Sequence, residues 1–136
     1  MIARAKAILK KHEGLRLKPY RDTVGKLTIG YGRNLDARGI TTDEATEMLE
    51  ADIYSAIEDL RGSLPWFDDL DETRQVVLVD MAYNLGIAGL LKFKRMLAAV
   101  ETARWEDAAA EMLLSKWADQ VGGRAAELAE MMRAGQ

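Results

Sequence analysis

The chain has 136 residues, of which 49% are hydrophobic and 30% charged, so its size and composition are those of a single globular domain. It contains no cysteine, which excludes a disulfide framework and a thiolate metal site. Its formal charge of -3 hides an asymmetry, because residues 1–33 hold nine Lys or Arg against two Asp or Glu. Such a basic segment favours an anionic polymer as partner, although an ordinary solvated face explains it equally well.

The N-terminal quarter of the chain predicts a helix followed by a small sheet. Residues 3–12 carry apolar side chains at near-helical spacing, and Gly14 then supplies a stop. In residues 17–31 the apolar period approaches two, and Gly25 suits a tight turn. We therefore expect a short antiparallel sheet directly after the helix.

A long amphipathic helix is predicted next. Thr41 and Glu44 form a capping-box pattern, and apolar residues then recur every four positions up to about Leu60. Gly62 and Pro65 are expected to end this helix, because neither residue suits a helix interior.

The remainder of the chain predicts only helices. Residues 72–85 are apolar on nearly every side, which indicates a centrally buried helix, and Gly86 is a natural terminator. Helical spacing recurs over residues 89–100, 103–114 and 123–134. Six methionines on the apolar faces of the predicted helices are expected to fill the core rather than bind a cofactor: Met48, Met81, Met96, Met112, Met131 and Met132.

The segment 12–34 places Glu13, Asp22 and Thr28 around a glycine-rich hairpin. Two carboxylates near one cleft can divide acid and base work, as in glycoside hydrolysis. Two of these residues also have a plain structural explanation, since Asp22 suits a turn and Thr28 suits a strand. Glu13 is different, because a glutamate at a helix C-terminus opposes the helix dipole.

At this point the sequence resembles the T4-type phage lysozymes of glycoside hydrolase family 24, as a compact variant. The resemblance rests on the motifs E-G-L-R-L-K-P-Y-R-D, D-T-V-G-K-L-T-I-G-Y-G, D-M-A-Y-N-L-G, R-W-E-D-A-A-A-E-M-L-L-S-K-W and G-G-R-A. It implies an α+β, predominantly helical, two-lobed fold with a small N-terminal antiparallel sheet, a long linking helix and a C-terminal helical lobe. We expect one lysozyme domain, with lobe 1 near residues 13–60 and lobe 2 near residues 65–136 together with helix 3–12.

The resemblance also implies an activity and a catalytic set. The family's activity is hydrolysis of the β-1,4 bond between N-acetylmuramic acid and N-acetylglucosamine in peptidoglycan, as a muramidase that lyses the host cell. Glu13 would be the general acid, and Asp22 with Thr28 would activate a water on the opposite face of the sugar. Inversion would follow, although only the carboxylate separation distinguishes inverting from retaining geometry.

Supporting roles follow from the same resemblance. Tyr83 and Asn34 are expected to contact the sugar, Asn84 to form part of the wall, and Arg124 to lie near the catalytic glutamate. Arg33 stands where the family carries a histidine, so the ion pair of that histidine is not assumed here.

Two other functions remain open from the sequence. A lytic transglycosylase would keep Glu13 but form a 1,6-anhydro product, and a wall-binding module would keep the fold without turnover. We expect no metal ion and no organic cofactor.

The expected partner is bacterial peptidoglycan, with no nucleic acid, no stable membrane insertion and a monomeric state. The first twelve residues are charged throughout and lack the apolar core of a signal peptide. No apolar run approaches the roughly 18 residues of a membrane span. We therefore expect the protein in the host cytoplasm before its release to the cell wall or periplasmic peptidoglycan, although a virion device could carry the same domain.

Overall fold

A computed structural model describes residues 1–136, with seven α-helices and one three-stranded antiparallel sheet. The sheet lies near the N-terminus and helices form most of the chain, which confirms the predicted α+β, mainly helical class. The chain divides into two compact units, Met1–Met48 and Leu49–Gln136. The N-terminal helix is grouped with the sheet, and its expected place in the C-terminal lobe stays a prediction.

Helix α1 covers Ile2–Glu13 and ends at the predicted stop. Gly14 has a φ of 71°, in the left-handed region that glycine adopts without strain, and its N–H donates to Lys10 O at 3.1 Å. Lys10 and Lys11 lie in the last turn, where their charges favour the negative end of the helix dipole. Glu13 is thus the last helical residue before the chain turns into the sheet.

The sheet has the strand order β1-β2-β3, with β1 at Arg16–Arg21, β2 at Leu27–Gly30 and β3 at Arg33–Asn34. The register of β1 on β2 changes between the pair Arg16–Gly30 and the pair Tyr20–Thr28. Pro19 lies in this irregular part of an edge strand, where the missing N–H of proline is tolerated. The predicted short antiparallel sheet is therefore confirmed, with an irregularity that the sequence pattern did not indicate.

Helix α2 covers Thr42–Ser63 and begins with the predicted capping box. The Glu44 N–H donates to Thr41 Oγ1 at 3.1 Å, and the Thr41 N–H donates to Glu44 Oε1 at 2.9 Å. Ala56 and Leu60 are its only buried residues, so the first half of the helix buries no side chain.

Five further helices supply most of the core of the second unit, to which Leu60 of α2 also belongs: α3 (Glu72–Leu91), α4 (Lys94–Glu101), α5 (Trp105–Leu113), α6 (Lys116–Val121) and α7 (Gly123–Ala134). Helix α5 packs against both α4 and α7, and α3 packs against α7. Fully buried side chains include Leu78, Met81, Leu90, Met112 and Met132. The burial predicted for residues 72–85 holds for one face of the helix, where Val77, Leu78, Met81 and Ala82 are buried. It is wrong for Val76, which is 48% exposed.

Several details differ from the sequence-based expectation. Gly86 breaks the helical backbone of α3 with a φ of 74°, as predicted, but the helix resumes and reaches Leu91. The single helix expected over 89–100 is therefore two segments, the end of α3 up to Leu91 and α4 from Lys94. Helix α6 was not predicted, because its six residues are too few to show a helical period. Met48 is 55% exposed, so its predicted place in the core is wrong.

Taken singly, none of the helices has the length and apolar content needed to cross a bilayer. Only helices α3 and α4 taken together have the length and apolar composition of a membrane span, and they are bent by 103° relative to each other.

Candidate active site

Glu13 lies directly against the backbone of the hairpin. Its side chain contacts the α-carbon of Gly32, and a β-carbon built on that glycine would lie 2.8 Å from Glu13 Cδ. The Glu13 side chain is exposed, and its carboxylate makes no hydrogen bond or ion pair with another protein group. The end of α1 and the turn after β2 therefore place an unpaired carboxylate beside Gly32, where it is free to meet a ligand.

Glu13 and Gly32 also line an open groove of about 750 Å³ in the first unit. The remaining wall comes from the N-terminal helix and from Tyr31, which is 42% exposed. The Lys10 ammonium lies 5.3 Å from the centre of the Tyr31 ring, in cation–π range. The carboxylate thus shares its groove with an aromatic face and a positive charge.

Asp22 organises the turn between β1 and β2. Its Oδ1 accepts the backbone N–H of Val24 at 3.0 Å and that of Lys26 at 2.8 Å. The Gly25 N–H donates to Asp22 O at 3.0 Å, which closes the turn. The turn role considered from the sequence is therefore present, and it occupies one carboxylate oxygen while Oδ2 accepts no protein hydrogen bond.

Thr28 is 3% exposed and is the buried residue of the sheet. Its hydroxyl donates to Lys26 O at 2.9 Å, so the backbone of Lys26 bonds both Asp22 and Thr28. Asn34 pairs with Thr28 across β2 and β3, and its own side-chain oxygen accepts the Ala37 N–H at 3.0 Å. The structure thus brings Asp22, Thr28 and Asn34 together around one edge of the hairpin.

Arg33 occupies the position next to Gly32 and forms a two-point ion pair with Glu44. The nitrogen–oxygen distances are 2.6 Å and 2.5 Å. The hydrogen bond from Arg33, followed by that from the Thr41 N–H, lowers the pKa of the Glu44 carboxyl to about 2. The carboxylate that caps α2 therefore also fastens the last strand of the sheet.

Three sequence-predicted site residues belong to the second unit. Tyr83 is 49% exposed and lines a groove of about 380 Å³ with two carboxylates of α2, Asp52 and Asp59. Asn84 Oδ1 accepts the indole N–H of Trp117 at 2.8 Å. Roles of these residues in substrate binding stay predictions.

Arg124 is held by a carboxylate within its own unit. Its guanidinium donates to Asp80 Oδ1, with an Nε–Oδ1 distance of 2.9 Å and an Nη2–Oδ1 distance of 2.6 Å. The expected role of Arg124 beside the catalytic glutamate stays a prediction. Asp80 was not identified from the sequence, because a separation of 44 residues leaves no local pattern.

Two further residues of the first unit were also missed. Gly32 sits in the motif G-Y-G, which gives no local sign of a close contact with Glu13. Asp36 accepts the Leu27 N–H at 2.7 Å from a loop that carries no strand or helix pattern. Only its position soon after the last strand could have drawn attention to it.

The arrangement offers two carboxylates with different surroundings. Glu13 has no protein hydrogen bond, whereas Asp22 is fixed by two backbone N–H groups and presents its second oxygen. The Thr28 hydroxyl donates its proton to Lys26 O, and its oxygen keeps lone pairs that can accept a hydrogen bond. No group of three or more His, Asp or Glu side chains is placed to hold a metal ion.

Comparison with known proteins gives matches over nearly the whole chain. The model of the phage lysozyme family matches residues 10–133, a range that contains every candidate residue above. Probable T4-type lysozyme 1 of Dictyostelium discoideum is 27% identical over 164 residues, covering 99% of this chain and 96% of that protein. The endolysin of Acyrthosiphon pisum secondary endosymbiont phage 1 is 27% identical, covering 93% of this chain and 86% of the relative.

A larger relative carries a similar region. The pre-baseplate central spike protein Gp5 of Enterobacteria phage T4 is 30% identical over 156 residues, covering 94% of this chain. The chain spans only 27% of the length of that protein. With the family model matching nearly the whole chain, the protein belongs to the phage lysozyme family, whose lysozyme-type glycosidases degrade peptidoglycan.

Proposed function

We propose that this protein is a muramidase that hydrolyses the β-1,4 bond between N-acetylmuramic acid and N-acetylglucosamine in peptidoglycan, as an endolysin in host-cell lysis. The observation that carries this proposal is the unpaired Glu13 carboxylate held against Gly32 at the edge of a groove. Its unit also contains a second carboxylate and a hydroxyl fixed on one backbone segment, at Lys26. Membership of the phage lysozyme family supports the substrate class.

Glu13 acts as the general acid in this scheme. It donates its proton to the glycosidic oxygen as the bond from that oxygen to the anomeric carbon of N-acetylmuramic acid breaks. A water supplies the new bond to the anomeric carbon, and the products are one alcohol and one reducing end. No metal or organic cofactor takes part in these steps.

Asp22 and Thr28 position that water. Asp22 Oδ2 accepts one water proton and takes it up as the new carbon–oxygen bond forms. The Thr28 hydroxyl donates to Lys26 O, so toward the water it serves as an acceptor and holds the second proton. With both protons directed to protein oxygens, the lone pair of the water points away from them, toward the sugar. Its attack on the face opposite the leaving oxygen gives inversion.

The test compares wild type with Glu13→Gln and Asp22→Asn on purified sacculi, with product ends identified by mass spectrometry. Reducing muramic acid ends should be abundant for wild type and lost in Glu13→Gln, since the amide has no proton of suitable acidity to give. Asp22→Asn should be severely impaired but folded, because its amide oxygen can still accept the Val24 and Lys26 N–H groups. Lysis by a well-folded Glu13→Gln protein would refute the assignment.

The same products separate the alternatives. Anhydro ends together with tolerance of Asp22→Asn would show lytic transglycosylation. Binding to sacculi without any release of fragments would show a wall-binding module.

We also propose that the protein acts as a monomer, reaches the wall from the host cytoplasm at lysis, and binds peptidoglycan rather than nucleic acid. Fractionation of producing cells before and after lysis tests the location. A protein found only in assembled virions would instead favour a role like that of the spike relative.

A further inference from the structure

The backbone N–H of Leu27 donates a hydrogen bond to a side chain, although a backbone carbonyl of the neighbouring strand would be the usual acceptor. Leu35 N donates to Leu27 O at 2.7 Å, which extends the pairing of β2 and β3 by one residue. The reciprocal partner of the Leu27 N–H would be Leu35 O, but that carbonyl accepts the Gly39 N–H at 3.0 Å in the following turn. Asp36 Oδ2 accepts the Leu27 N–H instead, at 2.7 Å.

The Leu27 N–H belongs to the same peptide group as Lys26 C=O. A peptide group is planar and rigid, so a bond that orients its N–H also orients its C=O. On the carbonyl side, Lys26 O accepts the Thr28 hydroxyl at 2.9 Å and the Asp22 N–H at 2.9 Å. Asp36 therefore orients the N–H end of the peptide group whose carbonyl end accepts the Thr28 hydroxyl.

Hydrogen bonds to a carboxylate are shorter and stronger than those between neutral groups, and 2.7 Å is in that short range. Asp36 has no salt bridge and no other hydrogen bond that would draw its carboxylate elsewhere. Without it, the Leu27 N–H would lack a protein acceptor, and the peptide group would be held only at its carbonyl end, by the Asp22 N–H and the Thr28 hydroxyl.

We propose that Asp36 is a positioning residue, which orients the Lys26–Leu27 peptide group and thereby the Thr28 hydroxyl that receives the attacking water. This role rests on the proposed function of Thr28. Asp36 acts through the backbone and not on the substrate, so its removal should affect turnover more than substrate binding.

A double-mutant cycle tests the coupling, with muropeptide release from sacculi as the assay. Asp36→Ala should lower kcat by between about 10-fold and 10²-fold with little change in KM, since misplacement of a catalytic group has effects of that size. In a Thr28→Val background, which keeps the volume and removes the hydroxyl, Asp36→Ala should cause no further loss. Asp36→Asn should restore most of the activity, because its amide oxygen can accept the Leu27 N–H.

Asp43→Ala is the matched control, since Asp43 is an exposed aspartate of the same unit, in the first turn of α2. It should leave kcat unchanged. Losses that simply add in the double variant, or no recovery in Asp36→Asn, would overturn the positioning role.

Amide hydrogen exchange gives a readout that does not require activity. In Asp36→Ala the Leu27 amide should exchange faster, while amides of α7 should keep their wild-type rates. Unchanged exchange at Leu27 would refute the role of Asp36 as its acceptor. A wild-type protein that releases no fragments would overturn the proposed function, and this exchange comparison would still decide the backbone contact.

Discussion

The Glu13 side chain lies against the α-carbon of Gly32, in the space that the β-carbon of any other residue would occupy. A β-carbon at position 32 would lie 2.8 Å from Glu13 Cδ and 3.2 Å from Glu13 Cγ. Gly32 also has a φ of 76°, where side chains are strained. The glycine therefore serves both the turn and the placement of the proposed acid.

Gly32→Ala should cause a large loss of activity and only a modest loss in the free energy of unfolding. The added methyl group meets the end of a flexible side chain, so the fold can adapt by moving the Glu13 carboxylate out of position. Backbone strain should reduce the free energy of unfolding by about 1–2 kcal/mol. Activity should fall by about 10²-fold, since a displaced catalytic group is costly.

Gly30→Ala is the control for strain alone. Gly30 lies in the same hairpin with a φ of 69°, but an added β-carbon there meets nothing within 4 Å. Thermal unfolding and muropeptide release should show similar stability losses in both variants and a large activity loss only in Gly32→Ala. Equal activities would contradict the proposed contact.

Glu44 should make stability depend on acid pH. Its pKa is lowered from 4.5 to about 2 in the folded protein, chiefly by the hydrogen bond from Arg33. Because the folded-state pKa is the lower one, this stabilisation is fully present above about pH 4.5 and is lost as pH falls toward 2. Glu44→Gln should therefore be less stable than wild type at neutral pH, with the difference shrinking across this window.

Thermal unfolding from pH 2 to pH 7 measures this difference. Glu47→Gln is the matched control, because Glu47 lies on the same helix and forms no ion pair. Its difference from wild type should be small and should not follow this window. A difference for Glu44→Gln that is constant with pH would exclude the linkage.

Arg74 is expected to be a major source of stability in the second unit. It is 9% exposed, and it donates to Met132 O at 2.6 Å and Arg133 O at 3.0 Å at the end of α7. Its guanidinium also lies 3.7 Å from the centre of the Trp105 ring. Arg74→Met should cost about 3 kcal/mol, because two helix-terminal carbonyls and a cation–π contact lose their partner.

Denaturant unfolding followed by circular dichroism measures the Arg74→Met effect. Arg61→Met is a suitable comparison, since Arg61 pairs with Asp68 at 2.8 Å on the surface with over half of each side chain exposed. That variant should lose less than about 1 kcal/mol. Equal losses would mean that the buried contacts of Arg74 contribute little.

Asn84 is expected to stabilise the fold through Trp117. The Trp117 side chain is 3% exposed and its indole N–H has Asn84 Oδ1 as acceptor. Asn84→Ala should cost about 2 kcal/mol, because a buried donor loses its partner. Asn84→Asp keeps an acceptor oxygen and should lose less, as urea unfolding of the three proteins would show. Equal losses in both variants would contradict a hydrogen-bond role.

Local patterns predicted the element types well and contacts across the fold poorly. The capping box at Thr41 and Glu44 was visible because both partners lie within one helical turn. The second partner of Glu44, Arg33, lies 11 residues away, and no spacing rule connects the two. The same limit hid Asp36, whose acceptor role exists only because the turn after β3 diverts the Leu35 carbonyl.

The sequence by itself determined the α+β class, the stop after Glu13, the turn at Asp22 and the start of α2, because each depends on residues within a few positions of one another. The motifs around Glu13, Asp22 and Thr28 also identified the family that the comparison found. Only the tertiary structure decided which side chains hold the hairpin in place. The Glu13 contact with Gly32 and the Asp36 bond to Leu27 depend on how separate segments meet, which is set by packing and backbone direction rather than local pattern.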